Sequence, residues 1–269
     1  MIVFPNAKIN LGLQVTAKRP DGYHNIATIF YPIVCTDILE AVRADSFSFT
    51  TSGLSIDGGI EKNLCFKAYS LLQTDFNLPP VAIHLHKVIP MGAGLGGGSA
   101  DGAFMLVLLN QLFQLKLSNE ALASYALKIG SDCPFFIMNK AAYATGRGEL
   151  LEPLEIPQLA GKKILLVNPG LHINTGWAFS QLQPKNNHPF LPEIIQQPLA
   201  QWKGRLQNDF APIVFATNPE LEIIQSKLYG AGALFAGMTG TGSTMFGIFD
   251  QIPGNYHKIF APSYRLILA

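Results

Sequence analysis

Pro90, Met91, Gly92, Ala93, Gly94, Leu95, Gly96, Gly97, Gly98, Ser99 and Ala100 run without interruption into Asp101. Glycine has no Cβ, so successive backbone N–H groups in such a run can turn towards one point and cradle an oxyanion. A β-prone segment leads in and a helical one leads out, which puts the positive end of a helix behind the cradle. Ser99 adds a hydroxyl for a phosphate oxygen or a magnesium ion. Gly92, Gly94 and Gly97 formally satisfy the dinucleotide pattern G-x-G-x-x-G. That pattern also needs an acidic residue about 20 residues further on, ending a second strand. Leu115 to Asn119 offers neither acid nor strand. A P-loop would end in Gly-Lys-Ser/Thr, and this run does not. The chemistry indicated is phosphate binding that draws on magnesium and on a lysine from elsewhere in the chain.

Two further side chains suit phosphoryl transfer. Asp132 stands in Gly130-Ser-Asp-Cys-Pro-Phe-Phe136, against an apolar run that desolvates it. A carboxylate so placed, kept ionised by a neighbouring cation, can accept a proton from an attacking hydroxyl. Lys8 lies between Ala7 and Ile9 in the first β-prone stretch, and Asn10 alternates onto the same strand face. Taken singly, Asp132 reads equally as a turn or helix cap and Lys8 as a solvent-facing strand residue. Together with a phosphate cradle they form a base, a charge partner and a triphosphate site.

The elements that must hold these residues can be read from pattern. Ile2 to Val42 alternates β-prone runs with turn signals, Arg19-Pro-Asp-Gly22 marking a hairpin. Ser46 to Ile56 continues in that style. Lys62 to Phe76 places Leu64, Ala68, Leu71, Leu72 and Phe76 on one helical face. Val81, Ile83 and Leu85 alternate with Ala82, His84 and His86, as in a half-buried strand. A helix from about Ser99 to Leu115 follows, apolar nearly all round. Ser118 is set to cap the next helix and Gly130 to stop it. Ala141 to Leu154 reads as a hairpin turning at Thr145-Gly-Arg-Gly148. Beyond a polar bridge, Glu155 to Lys163, come a strand at Ile164 to Val167 and a loop from Gln183 to Gln197. The end reads as a helix (Glu220 to Tyr229), strands at Ala233 to Met238 and Thr244 to Phe249, and a last strand near Ser263 to Leu268. Mixed elements without a βαβα rhythm indicate α+β, with a boundary near residue 155 dividing 1–155 from 156–269.

Composition removes several classes of function. The 269 residues are 48% apolar and 14% charged, with 19 Lys+Arg against 18 Asp+Glu. That is a core-forming chain with no field to attract nucleic acid or an anionic membrane. The longest apolar run, Ala103 to Leu109, falls well short of the roughly 20 residues of a membrane span. No signal peptide is visible at the start. Cys35, Cys65 and Cys133 form an odd, unclustered set, which suits a reducing cytoplasm.

The motifs in order resemble the GHMP kinases (galactose, homoserine, mevalonate and phosphomevalonate kinases). Pro90 to Asp101 looks like their second motif. Gly237-Met-Thr239-Gly240-Thr241-Gly242-Ser243 looks like their third, a second glycine loop that closes over the phosphates. Pro5-Asn-Ala-Lys8-Ile-Asn10-Leu, Arg19-Pro-Asp-Gly-Tyr23-His24, Gly130 to Phe136 and Thr145-Gly-Arg-Gly-Glu149 resemble a narrower branch, whose substrate carries a cytidine diphosphate group. The likeness runs from Pro5 to about Phe249. It implies an N-terminal domain like ribosomal protein S5 domain 2 and a ferredoxin-like C-terminal domain. It also implies ATP with Mg²⁺ as cofactors and, as acceptor, the 2-hydroxyl of a methylerythritol moiety in non-mevalonate isoprenoid synthesis. Lys8 and Asp132 fall on the catalytic pair and Asn10 on a substrate-side residue. Tyr23, His24, Thr175 and Phe179 fall on the substrate pocket, where two rings would grip the cytosine. Ser131 stands where the family has alanine, and Thr145 where it has arginine, with Arg147 two positions on. The expected enzyme is cytoplasmic, a monomer or weak homodimer, binding neither nucleic acid nor membrane. Two other readings stay open at this point: another small-molecule kinase of the family, of the homoserine or mevalonate type, and a nucleotide sensor without catalysis.

Overall fold

The structure is a computed structural model and describes residues 1–184 and 187–269. In chain order it contains strands β1 (Ile2–Val3), β2 (Asn6–Lys18), β3 (His24–Thr36), β4 (Ile38–Arg43) and β5 (Ser48–Gly53), then helix α1 (Leu64–Phe76) and strand β6 (Val81–Lys87). Helices α2 (Gly97–Leu112), α3 (Asn119–Ile129) and α4 (Cys133–Met138) follow, then β7 (Ala142–Thr145), β8 (Leu150–Pro153) and β9 (Lys163–Asn168). The last third holds α5 (Thr175–Ser180), α6 (Leu191–Ile195), α7 (Ala211–Thr217), α8 (Glu220–Gly230), β10 (Phe235–Met238), β11 (Met245–Phe249) and β12 (Arg265–Leu268). The mixture is α+β. Two compact units draw on interleaved segments: one on 1–7, 34–91 and 96–140, the other on 8–33, 92–95 and 141–269.

In the first unit a sheet of order β1-β4-β6-β5 packs with α1 to α4. β6 shows the expected alternation, with Val81, Ile83 and Leu85 buried. Its partner β5 runs parallel to it, Phe49 opposite Ile83, which no local pattern announces. Of the face predicted for α1, Ala68 and Leu72 are buried, Leu64 and Leu71 half-buried and Phe76 exposed, while Cys65 and Tyr69 are buried in addition. Tyr69 is drawn into the buried face by stacking on Phe47, with ring centroids 5.1 Å apart. α2 begins two residues earlier than expected and ends at Leu112. Beyond it Gln114 and Lys116 have positive φ, which breaks the helical path.

In the second unit the hairpin at Arg19 joins two 13-residue strands, β2 and β3, in a sheet of order β2-β3-β7-β8. The turn is closed by Arg19 N–H to Tyr23 O at 2.8 Å. A separate antiparallel sheet, β10-β11-β9-β12, shares a core with α7 and α8 through Val214, Leu221, Ile224, Leu228, Val167, Met238 and Phe249. The stretch predicted as a loop from Gln183 to Gln197 contains α6, which buries Leu191, Ile194 and Ile195. Lys185 and Asn186 of that stretch lie outside the described residues.

Candidate active site

Both glycine motifs are placed by steric need. Gly94 has φ +77°, and a Cβ there would stand 2.1 Å from Thr239 O. A Cβ on Gly240, φ +57°, would stand 2.8 Å from Gly94 Cα. The leading residues of the first loop and the turn of the second therefore touch backbone to backbone, and side chains cannot be accommodated at either position. Thr244 N–H donates to Ala93 O at 3.4 Å across the same contact.

Four side chains knit this contact to β2. Lys8, 3% exposed, donates from Nζ to Asn10 Oδ1 at 2.7 Å and to Gly94 O at 3.1 Å, and lies 5.0 Å over the Phe30 ring. Asn10 Oδ1 also accepts from Gly240 N–H at 3.1 Å. Its amide donates to Thr28 Oγ1 at 2.9 Å. Thr239 Oγ1 accepts Asn10 N–H at 3.0 Å, and its own proton faces Gly94 O at 2.9 Å and Asn10 Oδ1 at 3.2 Å. One carboxamide thus fixes a buried ammonium and a loop at once. A buried cation without such acceptors would be costly.

The second half of the first loop forms the start of α2. Gly96 is the cap residue, with φ 71° and no side-chain cap hydrogen bond. The N–H groups of Gly97, Gly98 and Ser99 are consequently not taken by a capping side chain, the arrangement that receives phosphate at a helix N-terminus. Under this turn, Lys87 Nζ donates to Asp37 Oδ2 at 2.5 Å and to Asp101 Oδ2 at 2.6 Å, all three fully or nearly fully buried. A Cβ on Gly97 would stand 3.0 Å from Lys87 Nζ. Burial pushes the Asp101 carboxyl up to about 7, against the opposing pull of Lys87. Sequence reading missed this cluster, yet β6 alternation puts Lys87 on the same buried face as Val81, Ile83 and Leu85.

Asp132 immediately precedes α4, half-buried, and makes no capping hydrogen bond, so the cap reading does not account for it. Neighbouring Cys133 is buried, and burial pushes its thiol up to about 12, against a lowering by the Ser99 hydroxyl. It is a packing residue and no nucleophile.

The predicted aromatic residues are arranged differently from two open jaws. His24 stacks on Phe179, centroids 5.0 Å apart and planes at 22°. Phe179 in turn meets Phe210 edge-on at 4.9 Å. Tyr23 is 58% exposed, and the Arg147 guanidinium lies 5.2 Å over its ring. Thr175 Oγ1 at the start of α5 is 3.2 Å from Thr241 Oγ1. Gly237 lies within β10 and Gly242 after the turn, while the Ser243 hydroxyl donates to Leu171 O at 2.6 Å. Pro90 and Met91 end the approach to the first loop, with Met91 47% exposed. Thr28 was not singled out from the sequence. Its bond to Asn10 spans 18 residues across the hairpin, and no local pattern marks it.

Comparison with known proteins adds to this geometry. Residues 63–140 match the model for the GHMP kinases N terminal domain and residues 190–254 that for GHMP kinases C terminal. The chain is 51% identical over 254 residues to the 4-diphosphocytidyl-2-C-methyl-D-erythritol kinase of Bacteroides fragilis, covering 93% of this chain and 92% of that one. It is 48% identical to the protein of the same name from Cytophaga hutchinsonii, covering 96% of each. A crystal structure of 4-(cytidine 5'-diphospho)-2C-methyl-D-erythritol kinase superposes with a TM-score of 0.82 at 31% identity, over 100% of this chain and 98% of that one. With 63–140 and 190–254 matched by the two family models and about half its residues shared with such relatives, the chain belongs to the GHMP kinase family, in the branch of the 4-diphosphocytidyl-2-C-methyl-D-erythritol kinases.

Proposed function

We propose that the chain transfers the γ-phosphoryl group of ATP to the 2-hydroxyl of 4-diphosphocytidyl-2-C-methyl-D-erythritol, a step of non-mevalonate isoprenoid precursor synthesis. The observation that carries the reading is the buried Lys8–Asn10–Thr239 network, which ties a cation to both glycine loops through Gly94 O and Gly240 N–H. A phosphoryl-transfer enzyme needs charge and loops held in fixed register, since its catalysis is positioning plus electrostatics. In this reading Asp132 accepts the proton of the attacking hydroxyl, and Lys8 supplies the positive charge that orients it. The Gly96–Ser99 turn of α2 receives the phosphates.

Magnesium suits this donor set. Among the described residues no group of three or more His, Cys, Asp or Glu could cage a metal. Mg²⁺ is commonly held by phosphates and water with one or two protein oxygens, and Ser99 is the protein oxygen proposed here. When bound it neutralises charge developing on the transferring group. Cytosine takes the place that His24 now holds against Phe179, and the freed imidazole reads the base edge. Arg147, already over Tyr23, steadies the second ring. Residue 155 is the boundary in chain order between the N-terminal and C-terminal modules. The buried free thiols Cys35, Cys65 and Cys133 support a cytoplasmic enzyme, and no described helix is long and apolar enough to cross a membrane. We expect a monomer or weak homodimer.

The test is ADP release with Mg²⁺–ATP and 4-diphosphocytidyl-2-C-methyl-D-erythritol, run beside mevalonate and homoserine. Turnover with the cytidine compound alone is expected. Turnover with either other alcohol would overturn the substrate assignment.

A further inference from the structure

The second unit contains a cavity of about 810 Å³ in which, of the residues assigned above to catalysis, substrate or the loops, only Asn10, Gly237 and Met238 take part. Its floor is apolar and buried, made by Leu206, Phe235, Met238 and Phe246. Phe215 of α7 and Tyr229 of α8 form walls. The size is that of small-molecule sites, and apolar side chains in the lining stand beside the amides of Gln207, Asn208 and Gln225.

Two features define what it would hold. Lys203, on the rim, carries its Nζ 4.3 Å over the Tyr229 ring and has no carboxylate partner among the described residues. Glu222, the carboxylate in the lining, is exposed on α8. A cation held on an aromatic wall above an apolar floor selects an apolar body bearing one anionic group. The second feature is Asn208, also in the lining, whose amide donates to Met238 O at 2.9 Å and Gly240 O at 2.8 Å. Gly240 N–H is bound to Asn10 Oδ1, which holds Lys8. A ligand against Asn208 therefore touches the group that fixes the second glycine loop.

We propose that this cavity binds a small amphiphilic anion and that its occupancy is felt at the second glycine loop, by differential affinity for the loop's conformations. The proposal goes beyond the kinase reading, and its binding half does not depend on it.

The probe is 1-anilinonaphthalene-8-sulfonate, with its uncharged counterpart N-phenyl-1-naphthylamine, titrated by fluorescence against the full chain. One saturable site per chain is expected, undisturbed by Mg²⁺–ATP or cytidine diphosphate. Ala216→Trp, at an exposed lining position, should abolish it. Lys203→Ala should weaken the sulfonate about three- to fivefold, the scale of a solvent-exposed ion contact, and leave the uncharged probe unchanged. Displacement by either nucleotide would assign the site to the kinase pocket and overturn the proposal. So would a sulfonate titration unaltered by both variants. The coupling half is read as a change of at least about twofold in ADP release at saturating sulfonate, absent in Ala216→Trp. An unchanged rate with the site filled overturns that half. Absence of ADP release without any probe would instead refute the kinase reading and leave the binding result standing.

Discussion

Thr239→Val isolates the hydroxyl that joins the two glycine loops. The side chain is fully buried, and valine keeps its shape while removing one acceptor and one donor. Gly94 O still receives Lys8 Nζ, and Asn10 Oδ1 still receives Lys8 and Gly240. Asn10 N–H, whose acceptor was Thr239 Oγ1, is left buried and unpaired. Stranding one such donor costs about 1–3 kcal/mol, and the lost bond to Gly94 O adds about 1 kcal/mol. Thr239→Ser keeps both hydrogen bonds and removes one methyl, at about 1 kcal/mol. Urea midpoints should therefore rank wild type, Ser, Val, with Val lower than Ser by about 1–3 kcal/mol at equal m. Turnover should follow the same order, Val falling about 10- to 100-fold because a displaced loop misplaces the reacting groups. Val as stable and as active as Ser would refute the view that this hydroxyl holds the loops in register.

Asp132→Asn should retain ATP binding by calorimetry while turnover falls about 10²- to 10⁴-fold, since an amide accepts no proton; Lys8→Ala should be comparably damaging and Lys8→Arg only partly restorative. Phe179→Ala should raise KM for the cytidine substrate about tenfold or more and leave KM for ATP alone, as expected from loss of a stacked base; equal rises in both would exclude the slot. Asp101 has its carboxyl raised by burial to about 7, so the folded chain binds a proton more tightly than the unfolded one between the ordinary carboxylate range and neutrality. Stability then falls as pH rises from about 4 to 7 through this group, and Asp101→Asn should flatten that slope in denaturation midpoints measured across the range.

What was legible in the sequence was whatever depends on local pattern. Alternation in β6, the Arg19 turn, Ser118 as cap and both glycine runs all express constraints within a few residues. The face of α1 was legible through Ala68 and Leu72, but not at Tyr69, which answers to Phe47, outside the helix. α6 and α7 are five and seven residues long, too short to show a period; α6 lies in the stretch of prolines and amides that reads as loop, and α7 in one given no element. The Lys87 cluster joins residues 50 and 14 positions apart, a distance no spacing rule spans. For the site, Lys8, Asn10 and Thr239 could be named from motifs, but not that one carboxamide joins them. Arg147 could not be placed at all until Tyr23 was seen beneath it.

The central claim is transfer to a tertiary hydroxyl, and proton-coupled phosphorus NMR of the product tests it most directly. Carbon 2 of the substrate carries a methyl group and no hydrogen, so a phosphomonoester there should appear as a new resonance unsplit by vicinal protons, growing in step with ADP. A doublet or triplet would mark phosphorylation at a secondary or primary hydroxyl and contradict the account.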